Sequence, residues 1–241
     1  MGRRLLFLFL TAAAVVPAQE HPNACPQSLH TLYSYRATTL TAVHEHPVTS
    51  PDHRKVLSVE TIEDSRDPAG LHINYTVTRG GKKFRTKLPG FDSEIAWSPD
   101  SKAFAVTQTE GGGGLGSRVY VFYVDESGLK KLDVSRTIEK DFGSPVRCEG
   151  RVPPNTGFVR WGTDSSTLLV AAEVVPVSIC SCPGTYRVYE MGLPGLTIVR
   201  TFSQTEAKKQ FWRDLGCELR GADDKCVHAV ERYAHEKLML H

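Results

Sequence analysis

Apolar positions in the middle of the chain recur in short runs, each closed off by turn-forming residues. VLSVETI (56–62), FAVTQT (104–109) and LLVAAEVV (168–175) are rich in β-branched residues and too short for helices. A second strand-like run follows each of them: LHINYTVT, RVYVFYV and TYRVYEM. Polar or glycine-containing turns then lead to a third: KFRTKL, LKKLDV and LTIVRTF. The same punctuation precedes every unit. It is Ser50-Pro51-Asp52 in the first, Ser98-Pro99-Asp100 in the second and, more weakly, Gly162-Thr163-Asp164 in the third. Trp97 and Trp161 stand immediately before the second and third copies. An apolar residue (Val56, Phe104 or Leu168) sits four positions after each aspartate and restarts the buried face. Proline presets φ for a turn and ends the preceding strand, and the aspartate accepts backbone N–H groups across it. Each unit therefore reads as an antiparallel meander of about four short strands.

The string W-S-P-D-x-x-x-h-A-h (h, apolar), followed by a Val-Tyr-Val-Phe strand and a Gly-Leu-Lys-Lys-Leu turn, resembles the TolB-like, WD40-like (PD40) β-propeller repeat family. Residues 94–134 carry the likeness best, 157–201 less well and 40–88 weakly. The resemblance implies a mainly β, propeller-like array of about three to four units. It also implies protein or peptide contacts through loops or a central face. The turn motif by itself would also suit an unrelated β-sandwich. Propellers normally close with at least four blades, and only three units stand out here. Either Leu29–Val43 supplies a divergent fourth sheet, or the C-terminal segment caps the array, or two chains associate.

After Phe202 the period changes. Ser203-Gln204-Thr205-Glu206 is a capping box, and Ala207, Phe211 and Leu215 fall on one helical face. Gly216 is a plausible stop. A second helix is expected over 224–238, with Asp223 as N-cap and Val227, Val230, Ala234 and Leu238 aligned. Such a hairpin is marginal in water and needs a surface to pack on. The expected organisation is a leader (1–18), an N-terminal segment (19–39), the repeat domain (40–202) and a helical hairpin (203–241).

The leader follows from Arg3-Arg4, the apolar run Leu5–Val16 and the small residues Val16-Pro17-Ala18, the pattern of a secretory signal peptide cleaved near Ala18. The apolar run is too short to span a bilayer, and no later run is long enough. Cleavage lowers the 29 basic residues to 27, equal to the 27 acidic ones. A balanced charge gives no field for nucleic acid or an anionic membrane. Export to the periplasm or beyond makes the six cysteines (Cys25, Cys148, Cys180, Cys182, Cys217 and Cys226) a disulfide framework. Cys217 with Cys226 is the preferred staple, and Cys217 with Cys25 the rival. One of Cys180 and Cys182 is expected to bond to Cys148.

Candidate chemistry is sparse. Residues 111–116 are glycine-rich but lack the Gly-Lys-Ser/Thr and the following helix of a phosphate loop. Cys180-Ser181-Cys182 lacks the C-x-x-C spacing and helix start of a dithiol site, although a thiol redox role for this pair stays open. His44-Glu45-His46 offers two ligands on one strand face without a third, and His228 and His235 are too far apart on a helix to share an ion. Neither G-x-S-x-G nor H-E-x-x-H occurs. No cofactor or metal is expected. The leading expectation is an exported, non-enzymatic binding or scaffold module contacting protein or peptide, with self-association if the array is open. The alternatives are an exported hydrolase or lyase with a loop-built site, and the redox protein.

Overall fold

The computed structural model describes residues 33–40, 46–63, 70–90, 92–109, 116–142, 152–175 and 182–222. The fold is mainly β, a propeller-like array of antiparallel sheets. Among the described residues a short strand, β1 (Thr38–Leu40), comes first. The first sheet is β2 (Val48–Thr49), β3 (Lys55–Glu63), β4 (Leu71–Arg79) and β5 (Lys82–Pro89), paired in chain order. The second is β6 (Asp92–Trp97), β7 (Ala103–Thr109), β8 (Ser117–Val124) and β9 (Leu129–Asp133), with β1 added beside β6. Helix α1 (Val134–Phe142) follows. The third sheet is β10 (Asn155–Trp161), β11 (Thr167–Glu173), β12 (Tyr186–Gly192) and β13 (Thr197–Phe202), followed by α2 (Gln204–Phe211) and α3 (Cys217–Gly221).

Burial explains the different look of the strands. One face of the first sheet packs on the second through Leu57, Ile73, Tyr75, Val77, Phe104 and Phe122. The second packs on α1 and the third through Ala105, Val121, Ile138, Phe158, Val170 and Met191. The middle sheet is thus covered on both sides, and β7 is buried at six consecutive positions. β3 is covered on one side and alternates, with Leu57 buried and Val56 exposed.

The turn motif does two jobs. Within each unit it closes the strand pair. Ser98 N–H donates to the Ala103 carbonyl at 2.8 Å, and Ala103 N–H returns a bond to Ser98 Oγ at 3.0 Å. Ser50 and Lys55 repeat this at 2.9 and 3.0 Å. His53, Ser101 and Ser165, one residue beyond the aspartates, all adopt left-handed φ near 60° (57°, 61° and 63°). Between units the motif joins neighbours by a repeated pair of bonds. Trp97 Nε1 donates to the Val48 carbonyl and Trp161 Nε1 to the Ala96 carbonyl, both at 3.0 Å. Asp52 N–H donates to Ser101 Oγ at 3.0 Å, and Asp100 N–H to Ser165 Oγ at 3.1 Å. The first unit has Thr49 and His53 where the others have tryptophan and serine. It therefore lacks both groups that would reach back to a preceding unit, and Val56 and Ile62 on its outer face are exposed.

Of Leu29–Val43, the described part (33–40) is no fourth sheet. It is a strap. Thr38–Leu40 pair antiparallel with Ile95–Ser93, and Ser34 bridges to Leu215. The C-terminal segment covers the outer face of the third sheet, where Ala207, Phe211, Leu215 and Leu219 pack with Val159, Leu169, Val188 and Phe202. The capping box forms: Ser203 Oγ accepts Glu206 N–H at 3.3 Å, and Glu206 Oε2 accepts Ser203 N–H at 2.9 Å. Helix α2 ends at Phe211, short of Leu215, because the strap takes over the next backbone groups. Tyr35 N–H donates to the Asp214 carbonyl, and Gly216 N–H to the Tyr33 carbonyl. Gly216 is consequently the N-cap of α3, not merely a stop. The expected helix over 224–238 lies outside the described residues. Helix α1 went unpredicted, although Val134, Ile138 and Phe142 show the i, i+4, i+8 signal and are buried.

Candidate functional site

The antiparallel registers put the motif turns at one end of the array. The start of β8, the start of β10 and the end of β11 lie at the other. The residues singled out by the motif occupy the first end and are architectural. Trp97 and Phe104 are buried in edge-to-face contact with centroids 5.2 Å apart. Ser98 is buried, and its hydroxyl donates to Asp100 at 2.7 Å. Pro99 and Asp100 lie at the exposed tip. Burial pulls the Asp100 carboxyl upward. The bonds from Ser98 and from Lys102 N–H, with the Lys102 charge, outweigh this and hold it below the usual range. Trp161 is half-buried against Phe158, and exposed Asp164 is lowered by its bond from the Ser166 hydroxyl.

The opposite end is polar inside. Tyr33 N–H reaches both Glu94 carboxylate oxygens, at 3.2 and 3.3 Å. Its phenol donates to Glu173 Oε2 at 3.1 Å and accepts from Ser117 Oγ at 3.0 Å. Asn155 Oδ1 accepts Gly116 N–H at 3.0 Å and Ser117 N–H at 3.3 Å. Ser135 and Thr156 hydroxyls pair at 2.6 Å. Between the first and second sheets, Tyr75 bonds Ser93 and Gln108 through its hydroxyl. Glu94 and Glu173 are 3% and 1% exposed, so both carboxyls sit out of water. Burial, reinforced by the Glu218 charge and opposed by the Tyr33 hydrogen bond, pushes Glu173 up to about 8. Burial also raises Tyr33 well above the ordinary phenol range. At neutral pH Glu173 is therefore mainly protonated, a buried proton donor and acceptor.

This cluster was not legible as a site. Glu94 and Glu173 are two of 27 acids, and Tyr33 lies in a segment with no strand pattern. The one usable signal was polar residues in otherwise apolar strands: Glu94 before Ile-Ala-Trp, and Glu173 within LLVAAEVV.

Glu173 makes stability depend on pH. Its folded pKa lies above its ordinary value, so its contribution is complete below about 4.5 and is lost as pH rises through about 8. Glu173→Gln should flatten that loss. Urea unfolding at pH 6 and 9 should show the variant gaining on the parent by a few kcal/mol over this interval. An unchanged pH slope would show that Glu173 ionises normally.

Of the cysteines, Cys182 and Cys217 are described, and neither is a free thiol. The Tyr35 hydroxyl lies 3.2 Å from Cys217 Sγ. Cys25, Cys148, Cys180 and Cys226 fall outside the described residues, as do residues 111–115, His44, Glu45, His228 and His235. His46 is exposed. Among the described residues no three or more His, Cys, Asp or Glu side chains are grouped to hold a metal. Nor, among them, is any helix long and apolar enough to cross a membrane.

The class defined by this geometry is, among the described residues, a propeller-like stack of three meander sheets with a helical cover. No family model and no curated protein matches the chain. Solved structures similar to it include the acylaminoacyl peptidase of Pyrococcus horikoshii, with 14% identity and a TM-score of 0.40 over 69% of this chain and 25% of that one. Another is an acylaminoacyl peptidase in complex with Z-Gly-Gly-Phe-chloromethyl ketone, with 15% identity and a TM-score of 0.39 over 70% and 25%. The matched part is about a quarter of the length of those proteins.

Proposed function

We propose that the chain is an exported, non-enzymatic binding or scaffold module of the TolB-like, WD40-like repeat kind, contacting a protein or peptide through loops at its polar end. The observation that carries this reading is the Asn155 side chain. It ties the start of β10 to the start of β8, at the end where β7 and β11 also finish. The strand ends gathered there are stems for the connections 110–115, 143–151 and 176–181, and binding residues concentrate on loops held by a rigid scaffold. The buried polar groups beneath bond to one another and hold those stems in place. The signal peptide and a disulfide framework belong to the same proposal, with Cys217 paired to Cys226 or Cys25 and one of Cys180 and Cys182 to Cys148.

The test uses the exported protein, whose intact mass should begin near Gln19. Crosslinking in the source compartment should capture a partner. Replacing 110–115 and 176–181 by short turns should lower the yield at least tenfold with the melting temperature retained. Capture unaffected by both replacements would remove the loops from the proposal.

A second reading, an exported hydrolase or lyase, is favoured by one observation: Glu173, pushed up to about 8, hydrogen-bonds Tyr33, whose hydroxyl also accepts from Ser117. A hydrolytic activity lost in Glu173→Gln while the fold persists would establish it.

A further inference from the structure

β5 is the outer edge strand of the first sheet, paired with β4 over its whole length without a register shift. The other outer edges are less regular: β9 has five residues, and β13 carries a register shift against β12. Alternation sends Lys83, Arg85 and Lys87 to one face, all exposed. It sends Phe84, Thr86 and Leu88 to the other, half-buried or buried beside the core shared with the second sheet. The three cations are spaced by about 7 Å along the strand. Their neighbours across β4 are Thr78, Thr76 and Asn74. Among the described residues none of the three forms an ion pair. Glu60 is the nearest acid on that face, on β3 and separated from Lys87 by Asn74.

Cations on an edge strand discourage pairing with another copy of the same edge. A regular row of three, with no counter-charge opposite, does more. It repels a basic strand and attracts an acidic one. Along the free side of β5, alternate N–H and C=O groups point away from β4 and are ready for a further strand. Residues added there would alternate between the cationic face and the half-apolar rim formed by Phe84 and Thr86.

We propose that β5 takes up an extended acidic peptide as an added strand, with acidic side chains at alternate positions against Lys83, Arg85 and Lys87 and small apolar ones between. Main-chain bonds along the edge supply affinity, and the two-residue alternation supplies selectivity. The inference rests on reading the chain as a protein- or peptide-binding module. It names a partner chemistry for that module and a contact separate from the loop end.

The experiment uses the full mature chain and a fluorescein-labelled, end-capped peptide of alternating glutamate and valine, followed by anisotropy. A second peptide of identical composition in block order (all glutamates, then all valines) should bind at least tenfold more weakly. Joint Lys83→Gln, Arg85→Gln and Lys87→Gln substitution should cost at least tenfold in affinity while the circular dichroism spectrum is unchanged. Two further peptides, N-methylated at the odd or the even positions, separate strand addition from plain charge attraction. One set should abolish binding and the other keep it, because only alternate N–H groups face β5. Equal binding of both methylated peptides, or of the block and alternating sequences, would overturn the proposal. So would wild-type affinity in the triple variant. The loop-replaced chain should bind the alternating peptide as the parent does. Loss of partner capture there with peptide binding intact keeps both readings, whereas absent peptide binding in the parent with capture intact removes this inference alone.

Discussion

Phe104→Ala lowers the unfolding free energy by about 3–5 kcal/mol, read as a drop in the urea midpoint at constant slope. Phe104 has no exposed surface and lies where the first two sheets meet. Its ring stacks on Phe122 at 5.1 Å between centroids and meets Trp97 edge-on at 5.2 Å; Phe122 in turn contacts Tyr75 of the first sheet at 6.2 Å. Truncation removes the middle of that row and leaves a cavity bounded by strands of two sheets. Those strands are held by their own ladders and cannot collapse into the gap, so the cost belongs at the upper part of the range. A loss below about 1 kcal/mol would mean that the sheets do not meet through this residue.

Gly157→Ala should cost about 3 kcal/mol or more, through a different mechanism. A Cβ at this position would lie 1.9 Å from Cγ and 2.4 Å from Cβ of Tyr33. Those atoms are the root of the side chain, so the ring cannot swing aside and the strap itself must move. Moving it breaks the Tyr33 N–H contact with Glu94 and the phenol bond with Glu173, leaving two buried carboxyls short of partners. A double-mutant cycle isolates the cause. In a Tyr33→Gly background the same glycine change should cost less than about 1 kcal/mol, because the ring and the Cβ that obstruct it are both gone. An equal cost in both backgrounds would place the fault in the β10 backbone.

Strands, turns and their repetition were determined by the sequence, because each depends on neighbours a few residues apart. Alternation defined β3, proline and aspartate defined the turns, and Ser203 with Glu206 defined the start of α2. The run Ala103–Gln108, expected to alternate, is instead buried at every position, because its sheet is covered on both faces. The helix end at Phe211 was not legible. It depends on backbone bonds from Tyr33 and Tyr35, some 180 residues away in the chain. The placement of 33–40 as a strap was equally hidden, since three residues pairing with β6 leave no periodic signal. The interior cluster depended most on tertiary structure. Glu94, Glu173 and Tyr33 carry no mutual spacing in the sequence, and each looks ordinary alone. Only the stacking of the second and third sheets removes water from both carboxyls and delivers Tyr33 between them, and this shared burial raises Glu173 to about 8.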